Sequence, residues 1–212
     1  MRALGVRQVP IVSKGKAHAN GQVLRDVARL CGIPYGEQKI LPVAELGRRQ
    51  TIILAAAQRY LAQLSDDQLR LMLPNRPRSY GQLLWHIFNV ADAFLEHERG
   101  IPLTVESYNR NPAPERDSKA AIAAYGREVE AAVAAYFAGP AAARDWSSRA
   151  DVYYGAQTLH EFLERTTWHF AQHVRQVLWR LDMLGIAPDG PVPADVLAGL
   201  PMPEKVWDDE AR

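Results

Sequence analysis

The chain has 212 residues, of which 48% are hydrophobic and 23% are charged, so it can bury one core of ordinary domain size. Its formal net charge is only +1, and no cluster of lysine and arginine indicates a nucleic acid or an anionic membrane as a partner. No apolar run reaches the roughly 18–20 residues of a membrane span and no signal-peptide pattern occurs, so we expect a cytoplasmic protein. The single cysteine, Cys31, excludes a disulfide within the chain.

Residues 1–33 differ in pattern from the rest of the chain. The stretch VRQVPIV is typical of a strand, SKGK of a turn, AHANG of a second strand, and residues 22–30 of a short helix that ends before Gly32. These elements predict a small ββα unit. A unit of this size is too small to be stable alone.

This ββα pattern, with its Val9-Pro10 step, resembles the second half of a glutaredoxin or thioredoxin-like domain. The half that carries the catalytic cysteine is missing, so the resemblance implies a remnant or an appendage that completes a dimer. In such domains the residue before the proline pairs through its backbone with the cysteinyl part of glutathione. Val9 and Pro10 are therefore candidates for binding glutathione or another low-molecular-weight thiol. The alternatives are a structural flap and an irregular arm packed on the main domain.

A linker at residues 34–44 leads to a mainly helical part at residues 45–186. Apolar residues at helical spacing predict four long amphipathic helices, over residues 45–64, 79–99, 118–137 and 158–184. Four such helices joined by two long connections describe a four-helix bundle.

Local signals define where these helices begin. A serine or threonine followed three residues later by glutamine or glutamate forms a capping box at Ser65, Ser79 and Thr158. The box at Ser65 predicts a short additional helix after the first long one. Residues 187–212 are rich in proline, and we expect them to form a loosely draped tail.

Three histidines lie at the edges of core-facing stripes: His86 in the second long helix, and His169 and His173 in the fourth. The separation of four residues stacks the imidazoles of His169 and His173 one turn apart. Two nitrogens from one helix and one from a neighbour can surround a divalent ion and leave a coordination position open. Such pairs also occur by chance, so ordinary surface or partly buried histidines are the alternative.

Two segments, LLWHIFNVADAFLEHERG and TLHEFLERTTWHFAQHVRQVLWRLDMLG, are similar to the second and last helices of the DinB/YfiT superfamily. Members of that superfamily share a four-helix bundle and a three-histidine metal site. The resemblance covers residues 45–186, and it implies that His86, His169 and His173 bind zinc, nickel or a similar divalent ion. Characterised members include transferases and isomerases that use low-molecular-weight thiols, whereas many others have no assigned reaction.

A divalent ion held by neutral imidazoles keeps its full charge, which lowers the pKa of a bound thiol or water. A thiol nucleophile would make the protein an S-transferase, and hydroxide would make it a hydrolase of esters or amides. We therefore predict a metal-dependent transferase or hydrolase that acts on a small-molecule substrate. The alternative is a non-catalytic metal-binding module for stress response or interaction. We also expect a homodimer, because bundles of this type often pair helices and the ββα unit leaves strand edges to cover.

Several other residues have ordinary expected roles. We expect His97 near the surface at its helix end and Asn89 as a helix-surface amide. We expect Glu161 to cap its helix and Arg165 to face solvent or a neighbouring helix. Four aromatic residues are candidates either for a pocket wall or for core packing, namely Trp85, Tyr153, Tyr154 and Trp168.

Overall fold

The structure, a computed structural model, describes residues 11–21, 23–35, 39–74 and 76–206. Its helices are α1 (Leu24–Cys31), α2 (Val43–Gln63), α3 (Asp66–Arg70), α4 (Tyr80–Glu98), α5 (Val105–Tyr108), α6 (Lys119–Ala138), α7 (Leu159–Met183) and α8 (Ala194–Leu197). Its strands are β1 (Ile11–Lys14), β2 (Ala17–Asn20), β3 (Arg149–Ala150) and β4 (Gln157–Thr158). Val9 and Pro10 lie outside the described residues. No described helix is both long enough and apolar enough to span a bilayer.

The four long helices α2, α4, α6 and α7 form the predicted four-helix bundle. Each packs along two neighbours, so that α2 lies diagonally across from α4. Their apolar faces meet in one core whose fully buried members include Leu46, Ile53, Leu54, Leu61, Leu84, Ile87, Phe88, Ile122, Leu163, Phe170 and Leu181. The helix periodicity in the sequence therefore predicts the fold, since the same apolar residues that recur at helical spacing form the core.

The predicted capping boxes are present at Ser65, Ser79 and Thr158. At the start of α7, the Thr158 hydroxyl accepts the Glu161 backbone N–H at 3.1 Å, and the Glu161 carboxylate accepts the Thr158 N–H at 2.7 Å. Each box satisfies two backbone N–H groups that have no partner within the helix. These local bonds explain why the starts of α3, α4 and α7 could be read from the sequence.

Helix α6 approaches its neighbours closely because Gly126 has no side chain. A β-carbon at Gly126 would lie 2.7 Å from the Phe88 ring and 2.3 Å from the side-chain nitrogen of Gln58. Neither approach is compatible with normal packing. Glycine therefore allows α6 to pack tightly against both α2 and α4.

The amino-terminal unit consists of an antiparallel hairpin, β1 with β2, followed by α1. Lys14 pairs with Ala17 across a two-residue turn in which Gly15 has a φ of 62°, so the turn is shorter than the predicted SKGK segment. The order ββα is present, but a thioredoxin-like relationship is not confirmed. The unit docks beside the start of α7, where Asn20 donates to the Tyr154 carbonyl at 2.9 Å.

The described part of the tail, up to residue 206, is held on the bundle, so the expectation of a loosely draped tail is wrong there. Val196 and Leu200 are buried, and Arg49 donates to the carbonyl of Ala198. Further along, Arg175 donates to the carbonyls of residues 203 and 204. The apolar side chains between the prolines pack against the bundle. The high proline content of the segment hides this packing when only the sequence is considered.

Candidate metal centre

The structure brings the three predicted histidines together between α4 and α7, which pack side by side. The Nε2 atom of His169 lies 3.1 Å from Nε2 of His173 and 3.4 Å from Nε2 of His86. One ring nitrogen from each of the three histidines lies within 4.8 Å of the others. The positions follow from the helices, since residues four apart on α7 face the same side and His86 faces them from α4.

These separations suit a metal ion. Zinc–nitrogen bonds of about 2.0–2.1 Å in tetrahedral geometry place two ligand nitrogens about 3.3 Å apart. The observed separations of 3.1 and 3.4 Å bracket that value. The group of His86, His169 and His173 could therefore hold a metal ion.

The imidazoles are in the protonation state that ligates metals. Burial, reinforced by repulsion between the rings and by the positive charge of Arg78, holds the pKa of both His86 and His169 well below its usual value. Burial likewise lowers the pKa of His173 to about 3. All three rings are thus neutral at pH 7, and each keeps a lone pair for an ion.

Gln176 determines which nitrogen of His173 faces the centre. The Nδ1 atom of His173 lies 2.9 Å from Oε1 of Gln176, a carbonyl oxygen that can only accept. The proton therefore sits on Nδ1, and the lone pair sits on Nε2, the atom nearest His169. An outer hydrogen bond of this kind fixes both the tautomer and the orientation of a metal-ligating histidine.

Within the described part of the chain, no cysteine, carboxylate or further histidine joins this group. Two polar side chains on the same helices, Asn89 and Glu161, are bonded to other groups. Glu161 accepts from Thr158 and pairs with Arg25. The Asn89 amide nitrogen donates to the carbonyls of Ser107 and Tyr108, and its oxygen accepts from Arg110 at 3.1 Å. Three nitrogens with no fourth ligand among these residues leave a coordination position open.

Aromatic side chains surround the histidines. The Tyr108 ring centroid lies 5.1 Å from that of His169 and 6.0 Å from that of His86. The Trp168 ring lies 5.7 Å from His169. The Arg165 guanidinium lies 4.1 Å from the ring centroid of Tyr154 and 5.6 Å from that of Trp168. The centre therefore has apolar walls with a positive charge beside them.

The predicted aromatic candidates divide between the two roles. Tyr153, Tyr154 and Trp168 belong to the wall, because Tyr153 lies 6.0 Å from Tyr108 and 5.0 Å from Tyr154 between ring centroids. Trp85 instead stacks on Tyr125 at 4.1 Å and is buried in the core. Core packing is therefore the role of Trp85.

Two expectations about polar residues of α4 are wrong. Asn89 is fully buried, and it anchors the loop that follows α4 rather than lying on the helix surface. His97 is mostly covered, because its Nε2 accepts the Asp151 N–H at 3.2 Å and its ring lies 5.1 Å from that of Phe162. Both side chains are held by segments distant in sequence, which helical spacing alone does not reveal.

Two residues of the site were missed by sequence reasoning. Tyr108 lies at the end of the four-residue helix α5, where no periodic pattern points inward. Arg165 was expected to face solvent or a neighbouring helix, but it stacks on Tyr154. Its position one turn before His169 on α7 was the one available signal, since residues four apart share a helix face.

The fold and site define a helical-bundle protein with a candidate three-histidine metal centre. The sequence model of the DinB superfamily matches residues 52–177, more than half of the chain. The chain belongs to the DinB superfamily.

Among solved structures, the chain is similar to a DinB-like protein from Bacillus cereus ATCC 10987, with a TM-score of 0.53 and 22% sequence identity. That match covers 69% of this chain and 95% of the other, and it shows a shared fold. No curated protein matches the sequence.

Proposed function

We propose that the protein is a metal-dependent enzyme in which His86, His169 and His173 hold zinc, nickel or a similar divalent ion, and that it joins the sulfur of a low-molecular-weight thiol to a small-molecule electrophile, with the thiol losing its proton as the new bond to sulfur forms. The observation that carries this proposal is the convergence of three neutral imidazole nitrogens without a further histidine, cysteine or carboxylate among the described residues. An open position is what separates catalytic from structural metal sites.

The chain's own residues account for the other requirements of such a site. When bound, a divalent ion lowers the pKa of a thiol or water and supplies a nucleophile at neutral pH. Gln176 orients His173, and the charge of Arg78 disfavours protonation of all three rings. The rings of Tyr108 and Trp168 beside His169 suit a polarizable sulfur, which favours a thiol over water as the nucleophile.

A hydrolase is the second candidate, since the same open position accepts water. A non-catalytic metal-binding module for stress response or interaction is the third. A closed, structural site would need a fourth ligand, and the bonds of Asn89 and Glu161 to other groups argue against both as that ligand. His169 is only partly buried as a residue, which also supports access from the surface.

Cobalt(II) substitution tests the proposal and separates the three candidates. We expect 2-mercaptoethanol to produce sulfur-to-cobalt charge-transfer absorption in the loaded wild type and none in His173→Ala. The absence of this band together with cobalt-dependent hydrolysis of p-nitrophenyl acetate would identify a hydrolase instead. Bound cobalt with neither signal would support the third candidate, the non-catalytic metal-binding module.

The amino-terminal unit offers a place for the thiol. Val9 and Pro10 lie outside the described residues, so their role in binding glutathione stays a prediction. What supports it is the docking of the unit near the aromatic wall, where Asn20 donates to the Tyr154 carbonyl and Gly155 approaches Val23. Calorimetric titration of glutathione into the wild type and Pro10→Ala tests it. Weaker binding by the variant is expected, and equal affinities would exclude the proline from the site.

A further inference from the structure

The hydroxyl group of Tyr108 is buried and has no hydrogen-bond partner among the described residues. The residue as a whole is 3% exposed. In the same bundle, the buried Tyr125 donates to Asp92 at 2.9 Å, and the Tyr136 hydroxyl is likewise bonded to a carboxylate. A buried donor without a partner has lost its hydration and gained nothing in exchange, so the Tyr108 hydroxyl requires an explanation.

The Tyr108 ring lies against two of the three histidines. Its centroid is 5.1 Å from that of His169 and 6.0 Å from that of His86, and the ring stands at 83° to the His86 ring. Tyr154 also has a buried hydroxyl with no partner in the described part of the chain, but its ring packs on Tyr153. Tyr108 is therefore the tyrosine whose unsatisfied hydroxyl belongs to a ring in contact with the candidate metal centre.

The structure fixes Tyr108 relative to His86. Asn89 lies one turn after His86 on α4 and is fully buried. Its amide nitrogen donates to the carbonyls of Ser107 and Tyr108 at 3.0 and 3.1 Å. The Thr104 hydroxyl accepts the Ser107 N–H at 3.1 Å and caps α5. Because α4 carries both His86 and the anchor of Tyr108, the ring stays beside the histidines unless these bonds break.

The chemistry of the centre limits what can accept a bond from this hydroxyl. A tyrosine hydroxyl is protonated at neutral pH, so it can donate. The three histidines direct one nitrogen each toward the ion that they could hold, and those lone pairs are then in use. A ligand atom in the open coordination position can accept the bond if it keeps a lone pair after it binds. A thiolate sulfur keeps such lone pairs, whereas the coordinating nitrogen of a neutral imidazole keeps none.

We propose that the Tyr108 hydroxyl donates a hydrogen bond to the ligand atom in the open coordination position, and that it thereby selects an anionic ligand such as a thiolate over a neutral nitrogen ligand. This inference rests on the proposed function and deepens it, since it identifies the residue that favours a thiol co-substrate. The hydroxyl lacks a partner in the free protein and gains one when the ligand binds. The bond therefore adds to ligand affinity.

Tyr108→Phe tests this role, because it keeps the ring and removes only the hydroxyl. In cobalt-loaded protein, we expect the variant to bind 2-mercaptoethanol at least about 10-fold more weakly than the wild type, since hydrogen bonds to charged atoms are the strong ones. The sulfur-to-cobalt absorption band should also move to longer wavelength, because the lost bond no longer lowers the energy of the sulfur lone-pair electrons. A purely structural role of the hydroxyl would not move this band.

Imidazole is the matched ligand, and Tyr125→Phe is the matched variant. Imidazole should bind the cobalt-loaded wild type and Tyr108→Phe with equal affinity, because its coordinating nitrogen has no lone pair left to accept a bond. Tyr125→Phe removes a buried hydroxyl of α6 and should keep the wild-type affinity for 2-mercaptoethanol. The proposal would be overturned by equal thiol affinities of the wild type and Tyr108→Phe, which would assign the hydroxyl to a buried water, or by an equal loss of affinity for both ligands.

The stability of the ligand-free variants provides a second readout. Tyr108→Phe removes a hydroxyl without a partner in the described part of the chain, so the thermal midpoint should stay unchanged or rise. Tyr125→Phe removes a bond to Asp92, so its midpoint should fall. A similar fall in both variants would mean that the Tyr108 hydroxyl is already satisfied in the free protein, and the proposal would be rejected.

Azide separates this inference from the proposed function. Azide is an anion whose coordinating nitrogen keeps a lone pair, so Tyr108→Phe should weaken its binding to the cobalt-loaded protein as well. Azide binding that depends on Tyr108, without any thiol band, would support the donor role and reject the thiol function. A thiol band of equal strength and position in the wild type and Tyr108→Phe would retain the proposed function and reject the donor role. A wild type that binds no cobalt would overturn both.

Discussion

The Nδ1 atom of His173 and the Oε1 atom of Gln176 lie 2.9 Å apart on consecutive turns of α7, in a bond that points the other ring nitrogen at His169. We predict that Gln176→Met weakens zinc binding by about 10–100-fold, since the loss of such an outer partner frees the tautomer and the ring orientation. Competition with a chromogenic chelator measures the change.

Gln172→Met is the matched control, because Gln172 is a buried glutamine of the same helix whose amide donates to the Lys205 carbonyl instead. Its zinc affinity should match that of the wild type. Equal affinities for Gln176→Met and Gln172→Met would show that Gln176 does not orient His173.

Asn89 is predicted to hold the loop that carries Tyr108. Its side chain bonds to the carbonyls of Ser107 and Tyr108 and accepts from Arg110, so Asn89→Ala should lower the free energy of unfolding by about 2–3 kcal/mol. Urea denaturation measures the loss. Asn109→Ala removes an exposed amide with one local bond and should change stability by less than about 1 kcal/mol. Similar losses in both variants would contradict the anchoring role of Asn89.

Glu164 is predicted to make stability depend on pH. Burial, helped by the charge of Glu161, raises the pKa of Glu164 from 4.5 to about 6. The folded state therefore holds the proton more tightly than the unfolded chain, so this stabilisation is present below about pH 4.5 and is lost as the pH rises through about 6.

The neutral substitution Glu164→Gln should raise stability at pH 7.5 by about 1–2 kcal/mol over the wild type, with little difference at pH 4.5. Urea unfolding at the two pH values measures this. Glu128→Gln, at an exposed position of α6, is the control and should change stability by the same amount at both pH values. An effect of Glu164→Gln that is the same at both pH values would contradict the raised pKa of Glu164.

The predicted homodimer can be tested by measuring the mass of the protein in solution. In the described part of the chain, β1 and β2 pair only with each other, so each keeps an outer edge that a second chain can cover. Light scattering at micromolar concentration should give twice the chain mass of 23.7 kDa. A mass of one chain across that range would count against the dimer.

Local signals explain what could be predicted from the sequence. Capping boxes such as Thr158 with Glu161 depend on residues three apart, and the grouping of His169 with His173 depends on helix geometry alone. The approach of His86 needed only the pairing of two amphipathic helices. The capping boxes and the His169–His173 pair each arise within one helix, so they are visible without tertiary information.

The rest of the site depends on contacts between distant segments. Tyr108 reaches the centre because Asn89 holds its loop, and Arg165 is turned inward by Tyr154, eleven residues earlier. His97 is covered by the segment around Asp151. No periodic pattern encodes these contacts. Sequence reasoning therefore expected Arg165 to face solvent or a neighbouring helix, expected His97 near the surface, and did not identify Tyr108.

The metal content of purified protein tests the central claim most directly. We predict about one divalent ion per chain in the wild type by elemental analysis, and a large loss in His86→Ala, His169→Ala and His173→Ala, because each removes one of three converging nitrogens. His18→Ala, at an exposed position of β2, should retain the ion. Negligible metal in all five proteins, or equal metal in the wild type and the three centre variants, would contradict the account.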